Sequence, residues 1–582
     1  MVKRDSQGSS STEDGLDRGS QSNRYSRVID DKSETSDVAP LISNPFVDAP
    51  QNDAAASDLG RTKRLLGARH MMIIALGGAI GTGIFLFAGA SIAIAGPGTT
   101  LLSYATVGLF VYSVIMQLGE MASFLPTSGA FASFGSRYVS QGFGFALGIG
   151  YYFQWAFSIP SELTAAAVIL QFWAPHIDVW VWALIIIIPM FLIQFINVRV
   201  WGEVEYWSSL GKILLILVFI LIGILYDAGA MGSSHPGPGL SNFTNGAAFI
   251  GGFGGFIRTF VNAFYSFGGA ELVALAAGEC EKPHRTVPIA IKATFFRIFI
   301  FFILSIFVMG LCINYKDPIL NLYTGDAAAS PITIIFQRAG FGPATHVVNA
   351  VLVTAILSAT NSCFFATSRM MMTLAREEKL PRVFGWVNGR GVPVPALFVT
   401  LLISSLTFLT SIWGEGVVFQ WFLNLTGMSA LVTWTSIAII SVRFRRGLKL
   451  QGYPLSDLPY KQPLYPLLPI LTLISGAAMF VGNAYVSIAI NGGWKNFVAT
   501  FSGLGLFTCL WCGWELTSHL RFKYGRADVY RGGFVDLQCA DYTTDAVWDK
   551  AQGERILEED RMEVEREKRS MPRWKWYMKS IY

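Results

Sequence analysis

Two long apolar segments are interrupted by glycine, and an interruption of this kind can bind a charged ligand. Residues 74–87 read IALGGAIGTGIFLF and residues 264–273 read FYSFGGAELV, so that glycines cluster in the middle of both segments. A glycine in a helix interior costs about 1 kcal/mol relative to alanine. A single cluster is equally compatible with close helix packing, but two clusters at corresponding places in two halves predict discontinuous helices.

An interrupted helix exposes both ends of its peptide dipoles. A new N-terminus offers unpaired N–H groups that suit a carboxylate, and a new C-terminus offers carbonyl groups that suit an ammonium. The residues at these points are Gly81, Thr82 and Gly83 in the first segment and Tyr265, Ser266 and Phe267 in the second. One site with both kinds of end would recognise the zwitterion of an α-amino acid.

Ionisable side chains inside apolar segments are the second chemical signal. Glu162, Lys212 and Glu271 each lie within a long apolar stretch, and Glu120 lies towards the end of another. A charge at the centre of a membrane helix costs about 2.5–3.5 kcal/mol on insertion scales, so the presence of each of these charged residues calls for a functional or structural explanation. Burial favours the uncharged forms, which would let such groups exchange protons during a reaction cycle. A structural ion pair, or hydration at the interface, is the alternative, above all for Glu120.

The elements that would carry these residues are transmembrane helices. Of the 582 residues, 52% are apolar and only 14% are charged, and the mean hydropathy is +0.45. A bilayer core of about 30 Å needs about 20 apolar residues per helix. Twelve segments meet this length: 71–95, 100–124, 143–172, 179–198, 207–227, 257–278, 290–314, 344–368, 394–413, 417–441, 466–489 and 497–518. The sequence therefore predicts an all-α membrane protein and excludes an ordinary soluble enzyme.

Charged residues concentrate in the two tails. We expect residues 1–70 to form a disordered cytoplasmic tail, residues 71–518 to form the membrane domain, and residues 519–582 to form a second cytoplasmic tail with a charged, exposed helix. Lys and Arg are also enriched in the loops that lie on the same side as the tails, which places both termini in the cytoplasm. Asn242, in the triplet Asn-Phe-Thr of a predicted outside loop, is a candidate glycosylation site.

Several function classes lack their sequence patterns. The net charge of +5 is small and forms no basic stripe with interleaved aromatic residues, so nucleic acid is not an expected partner. Cys509 and Cys512 form a C-x-x-C inside an apolar run, and we interpret them as buried thiols without a metal. The patterns of nucleotide-driven pumps, zinc proteases and serine hydrolases are missing. No enzyme activity, cofactor or metal is therefore expected.

Seven motifs in one order carry a family resemblance. They are GGAIGTGIF (77–85), LGEMASFLPTSGAF (118–131), PSELTAA (160–166), WGEVEYWSSLGKILLI (201–216), YSFGGAELVALAAGECEKPHRTVPIAI (265–291), SATNSCFFATSRMMMTLAREEKLP (358–381) with GVPVPAL (391–397), and FLNLTG (422–427) with VRFRRGLKLQG (442–452). With these motifs, the sequence resembles the fungal amino-acid permeases of the amino acid–polyamine–organocation superfamily over about residues 64–446. The resemblance implies a LeuT-like fold, with five-plus-five inverted repeats at about 71–227 and 257–441 and two extra helices at about 466–518.

The resemblance also implies roles for individual residues. Lys212 matches a lysine that stands near the place where sodium-coupled members hold an ion, and Glu271 matches an acidic residue linked to proton coupling or the inner gate. Glu120 is a third candidate for proton coupling. The candidates for side-chain selectivity are Gln154, Glu162, Tyr265, Asn424 and Thr426. Basic-amino-acid members usually carry a small hydroxyl where Gln154 stands, which weakens an assignment to arginine or lysine alone.

The function that the resemblance implies is proton-coupled import of L-amino acids at the plasma membrane by alternating access. The substrate range stays open between general, basic, neutral and acidic amino acids. The alternative is an amino-acid sensor of the same fold with little transport. Lys3 and Lys32, in a serine-rich tail, are candidate sites for ubiquitin ligases and endocytic adaptors, and a passive tail is the alternative.

Overall fold

The computed structural model describes residues 63–77, 80, 83–232, 237–244, 246–320, 330–413, 415–490, 493–523, 532–570 and 572. Regular structure in these ranges consists of helices and an isolated bridge between Leu66 and Cys280, which confirms the predicted all-α class. The α-helices are α1 Ala68–Gly77, α2 Ala88–Phe124, α3 Ala130–Tyr138, α4 Gln141–Leu170, α5 Val179–Ile193, α6 Val198–Asp227, α7 Gly252–Phe267, α8 Leu272–Ala276, α9 Pro283–Phe296, α10 Ser305–Cys312, α11 Pro331–Arg338, α12 Ala344–Arg376, α13 Val394–Ser404, α14 Thr410–Trp413, α15 Glu415–Leu450, α16 Leu467–Tyr485, α17 Trp494–Lys523 and α18 Gly553–Ser570.

Ten helical stretches in the described ranges are long and apolar enough to cross a membrane. They are α2, α4, α6, α7 with α8, α9 with α10, α12, α13 with α14, most of α15, α16 and α17. Two shorter apolar helices are α1, which covers only the start of the first predicted span, and α5, which coincides with most of the fourth. The protein is thus an integral, multi-pass membrane protein.

A kink at Gly96 separates the first two predicted spans inside α2. Gly96 has φ +81°, and a Cβ atom there would lie 2.4 Å from the carbonyl oxygen of Ala247, so only glycine fits. Neighbouring backbone groups bond to the same loop, because Ile250 N donates to Ala95 O at 3.0 Å and Thr99 N donates to Ala248 O at 3.0 Å. The chain therefore turns at the end of one span without leaving these polar groups unpaired.

The centre of the bundle is formed by α4, which packs against α12 and α15, while α2 packs along α7. Large apolar side chains are buried on α4 but exposed on the outer faces of α6 and α17, where Leu214, Leu221 and Val498 face outward. Because an apolar exposed face suits lipid, α6 and α17 lie at the bundle periphery and α4 is available to line a central site. Cys509 and Cys512 lie on the peripheral helix α17 and are exposed, so the prediction that these thiols are buried is wrong.

The C-terminal segment packs against the end of the bundle that is predicted to be cytoplasmic. Tyr542 is buried, and its hydroxyl donates to the carbonyl of Phe444 at 2.8 Å, while Val547 N donates to Phe124 O at 3.1 Å. Arg137 donates to the carbonyl of Thr544 at 2.7 Å and to Asp545 at 2.6 Å. The sequence predicts a solvated tail here, whereas the segment before α18 is held by specific contacts that composition does not reveal.

Candidate functional site

The first interruption follows Gly77, where α1 ends, and a π-helical turn at Gly83–Phe87 continues the span. Gly81 and Thr82 lie outside the described residues. A Cβ atom on Gly83 would lie 2.4 Å from the Cα atom of Ser266, so glycine is required where the two interrupted segments meet. The main chains of the two interruptions are therefore in direct contact.

The second interruption lies between α7 and α8. Gly268 has φ −48° and ψ 146°, and Gly269 has φ +85°, a left-handed conformation that favours glycine. The helix resumes at Leu272, directly after Glu271. Both interruptions thus lie where the glycine clusters predict them. The residues that leave the helical conformation in the second one, Gly268 and Gly269, are both glycines, and Gly269 adopts a left-handed conformation that favours glycine.

A small internal cavity lies beside both interruptions. Its volume is about 40 Å³, which is enough for a few water molecules. Five predicted binding residues line it: Gly83, Gln154, Glu162, Tyr265 and Thr426. The other lining residues are Trp155, Ser158, Phe264, Gly268, Ala359, Cys363, Gly427 and Ala430. Residues from α4, α7, α12 and α15 therefore converge on one place, as a ligand site between helices requires.

Tyr265 spans this cavity from α7 to α4. Its hydroxyl donates to Glu162 Oε1 at 3.1 Å, and its ring meets the ring of Phe87 edge to face at a centroid distance of 5.1 Å. An aromatic ring that is held at both its edge and its hydroxyl covers the cavity in a fixed orientation. The structure is therefore compatible with Tyr265 acting as a lid over a bound molecule.

Gln154 offers an unused acceptor to the cavity. Its Oε1 atom is buried and has no hydrogen-bond partner among the described residues. A buried carbonyl oxygen of this kind is costly unless a ligand or water satisfies it. Asn424 lies on α15, but its side chain lies outside the described part of the chain.

Ser266 and Phe267 do not line the cavity with their side chains. The hydroxyl of Ser266 donates to Asn262 O at 2.8 Å and lies 3.0 Å from the hydroxyl of Tyr104, and the ring of Phe267 stacks on Phe302 at 4.2 Å. These side chains pack α7 against its neighbours. Their predicted role concerned main-chain carbonyl groups, which remain at the end of α7 next to the interruption.

Lys212 caps the first interruption from α6. Its Nζ atom donates to the carbonyl oxygen of Gly77 at 3.0 Å and lies 3.6 Å from Glu205 Oε1, and both side chains are 0% exposed. Glu205 also accepts hydrogen bonds from the hydroxyls of Ser209 at 3.2 Å and Ser358 at 2.8 Å. A positive charge next to the last carbonyl of a helix is favourable because that end carries partial negative charge.

Glu271 and Glu120 have different surroundings. Glu271 is fully buried after the second interruption and accepts hydrogen bonds from Tyr151 and Trp434, both at 3.3 Å, which are neutral donors. Glu120 is also buried but accepts two hydrogen bonds of 2.5 Å from Arg445. The contacts of Glu120 match the structural alternative of an ion pair, whereas those of Glu271 do not include a direct positive partner among the described residues.

Asn242 is placed unfavourably for a glycan. Its side chain is buried, and its Nδ2 atom donates to the carbonyl of Leu311 at 2.8 Å. Its Oδ1 atom accepts a hydrogen bond from Asn314 at 3.1 Å. Because a glycan is attached through Nδ2 and needs open space, the triplet alone is a poor guide here.

The sequence interpretation did not single out Arg297 as an intramembrane charge, although it is 1% exposed and lies close to both interruptions. The signal was available, since an arginine in the run Arg297–Leu304 is as costly as the charges that were considered. Within the described ranges, no group of three or more His, Cys, Asp or Glu side chains is placed to hold a metal ion.

The comparisons with known proteins agree on one family. The family described as Amino acid permease matches residues 70–524 of the chain. The lysine-specific permease LysP of Escherichia coli (strain K12) is 42% identical over 463 residues, which cover 79% of this chain and 94% of that protein. The histidine permease HisP of Lactococcus lactis subsp. cremoris (strain MG1363) is 39% identical, covering 78% and 95%.

A fungal relative is also similar over most of the chain. The S-adenosylmethionine permease GAP4 of Candida albicans (strain SC5314 / ATCC MYA-2876) is 36% identical over 459 residues, which cover 78% of this chain and 74% of that protein. The family match over residues 70–524 includes both interruptions and every residue that lines the cavity.

Proposed function

The chain belongs to the amino acid permease family, and from this premise we propose that it imports L-amino acids together with protons by alternating access. It is a transporter and not an enzyme. The observation that carries the proposal is the cavity between the two interrupted segments, where Gly83 touches Ser266. The main-chain N–H groups that begin one segment and the carbonyls that end the other suit the two charges of an amino-acid backbone.

The cavity must widen for an amino acid to enter. The cavity is small, and the hydrogen bond between Tyr265 and Glu162 crosses it. In alternating access the site opens to each side in turn, and this hydrogen bond has to break for the site to open. Tyr265 then moves away from Glu162 when one side opens.

For proton coupling we propose Lys212 and Glu271. Both are fully buried, and each stands at an end of one interruption, so that a change of charge there alters how the helix ends are held. Glu120 is the weaker candidate, because its two hydrogen bonds from Arg445 make it one half of a structural ion pair.

For the substrate we propose a broad range that includes basic and neutral amino acids. Glu162 brings a carboxyl group to the cavity, which suits a cationic side chain, and the acceptor Gln154 Oε1 suits a side-chain donor. Relatives named as lysine, histidine and S-adenosylmethionine permeases support this range. Gln154 argues against a single specificity for lysine or arginine, because basic-amino-acid members of the family usually carry a small hydroxyl at this position of the cavity wall.

We further propose the plasma membrane as location, with both termini in the cytoplasm and the inverted repeats in opposite orientation. The enrichment of Lys and Arg in the loops on the side of the tails supports this orientation. Lys3 and Lys32, which lie outside the described residues, are proposed acceptors of ubiquitin that recruit endocytic adaptors.

The test is uptake of labelled amino acids in cells that lack their own permeases. We expect accumulation against a gradient at pH 5, loss of accumulation with a protonophore, and competition by several of the twenty amino acids, led by basic and neutral ones. Accumulation that the protonophore leaves intact contradicts proton coupling. A sensor of the same fold would accumulate nothing, although it would still bind an amino acid.

A further inference from the structure

Arg297 contacts both interrupted helices at once. It begins the π-helical segment Arg297–Leu304, between α9 and α10. Its Nη1 atom donates to the carbonyl oxygen of Ala75, in the last turn of α1, and its Nη2 atom donates to the carbonyl oxygen of Gly268, directly after α7, both at 3.4 Å. A single guanidinium group therefore bridges the C-terminal ends of the two helices that stop in the middle of the membrane.

These carbonyls are groups that need a partner. The last four carbonyls of a helix have no partner within the helix and carry partial negative charge. The planar guanidinium has several donors in a rigid fork and stays charged, so it can serve two acceptors on different helices. Lys212 serves a third carbonyl, that of Gly77. Lys212 and Arg297 thus offset the partial negative charge of the two helix C-termini at the interruptions.

Packing alone does not explain this arginine. The side chain is buried and 1% exposed, and its Nε atom has no partner among the described residues. The carboxylates of Glu271 and Glu205 interact with its charge, but its two hydrogen bonds both go to main-chain carbonyls. An apolar side chain of similar volume would fill the same space without the cost of burying a charge.

The contact with Gly268 links Arg297 to the cavity. Gly268 belongs to the cavity wall, while Arg297 does not line the cavity. We propose that Arg297 is a positioning residue for substrate binding, which holds the ends of both interrupted helices in the geometry that the cavity needs without itself contacting the amino acid. This inference rests on the proposed transport function.

The test compares three substitutions with matched properties. Arg297→Lys keeps the charge but reaches one carbonyl at a time, Arg297→Gln keeps donors without the charge, and Arg297→Met keeps only volume. We expect the KM for uptake to rise about threefold for lysine, further for glutamine, and more than tenfold for methionine, because two charge-assisted hydrogen bonds are lost in steps. Vmax per transporter at the cell surface should change by less than about threefold, since the bonds act on binding.

A control and a binding assay separate this role from folding. Phe299→Leu, in the same π-helical segment with a side chain that is 54% exposed, should leave KM unchanged. Binding of a labelled amino acid to the purified protein in detergent measures occupancy without transport. The concentration of amino acid that half-saturates the purified protein should be more than tenfold higher in Arg297→Met than in the parent protein.

The outcomes distinguish the inference from the proposed function. If the unsubstituted protein accumulates no amino acid, the transport function fails. If it transports normally and Arg297→Met, at normal surface level, has a KM within twofold of it, the positioning role is overturned. If the methionine variant does not reach the membrane, the other two decide: a KM equal to the parent value in both, or a lower KM for glutamine than for lysine, also overturns it.

Discussion

Lys212 Nζ lies 3.0 Å from the carbonyl oxygen of Gly77, the residue at which α1 ends. The contact joins α6 to the first interrupted helix, and Glu205 stands on the other side of the ammonium at 3.6 Å. A movement of α1 away from α6 therefore breaks a bond to a buried charge. If transport is coupled to protons as proposed, this contact makes Lys212 the residue that links a proton to a movement of α1.

Replacing Lys212 tests that link. We expect Lys212→Met to reduce uptake more than about tenfold and to abolish the difference between uptake at pH 5 and pH 7, because the titrating group and its bond to Gly77 are both lost. Lys292→Met, at an exposed lysine on α9, is the control and should behave like the parent protein. Unchanged, still pH-dependent uptake by Lys212→Met would remove Lys212 from the mechanism.

Stability gives an independent measure of the same pair. Lys212→Met leaves the carboxylate of Glu205 buried without its cation, which costs about 3–5 kcal/mol when one partner of a buried pair is removed. The double variant Lys212→Met with Glu205→Gln should regain most of this loss, because the amide can still bond to Ser209 and Ser358. Thermal unfolding of the purified protein in detergent measures both, and equal stability of the single and double variants would contradict the pairing.

Tyr265→Phe should weaken binding without disturbing the fold. The variant keeps the ring contact with Phe87 but loses the hydrogen bond to Glu162, so we expect KM to rise about tenfold. The measurement is concentration-dependent uptake, with Tyr112→Phe as control, because the ring of Tyr112 packs on Phe295 and does not line the cavity. A KM equal to the parent value would show that the hydroxyl does not hold the lid.

Glu120→Gln should separate a structural role from proton coupling. Arg445 would lose its carboxylate partner, and we expect a loss of stability of about 3–5 kcal/mol, as for other buried pairs. If the pair is structural, the pH dependence of the remaining uptake stays that of the parent protein. A shifted pH profile with normal thermal stability would instead return Glu120 to the proton pathway.

The C-terminal segment should stay docked at neutral pH and detach only in strong acid. Hydrogen bonds from Arg285 hold the pKa of the Asp560 carboxyl below its ordinary value of 3.8. Burial acts to raise the pKa of Asp541, but hydrogen bonds from Thr544 and the charge of Arg137 lower it overall. Because both pKa values are depressed, the stabilisation is present above 3.8 and is lost as the pH falls through the lower, docked values.

A nitroxide label on Cys539 can follow this docking, with Cys509 and Cys512 replaced by serine. We expect constant label mobility from pH 8 to pH 5 and an increase below about pH 4. In a variant with Asp541→Asn and Asp560→Asn, the label should already be mobile at pH 7. A mobility change between pH 8 and pH 5 would assign the contact to other groups, and circular dichroism would check that the helices persist.

The interruptions were predictable from the sequence because clusters of glycine mark them directly in the chain. Gly77 and Gly83 bound the first interruption, and Gly268 and Gly269 adopt the non-helical conformations of the second. Gly269 owes its left-handed conformation to its own residue type, so this signal needs no knowledge of distant contacts, whereas the need for glycine at Gly83 depends on its contact with Ser266. The same holds for the spans, whose apolar length is also a local property.

The partners of the buried charges were not predictable in the same way. Glu271 is joined to Trp434, 163 positions along the chain, and Glu120 to Arg445, 325 positions along. Such pairs depend on how helices pack, and neither spacing nor composition specifies that. Arg297 differs from them, because its charge was visible in the sequence while its two carbonyl partners were not.

The contact between Gly83 and Ser266 sets a limit for molecules designed to block the protein. Only a hydrogen atom separates the two main chains there, and even a methyl group on Gly83 would lie within 2.4 Å of Ser266. An inhibitor therefore cannot insert between Gly83 and Ser266 and has to bind on one side of this contact. An inhibitor designed for the cavity can therefore be fitted against this main-chain contact. Because the contact is made of backbone, substitutions of side chains elsewhere should leave it unchanged.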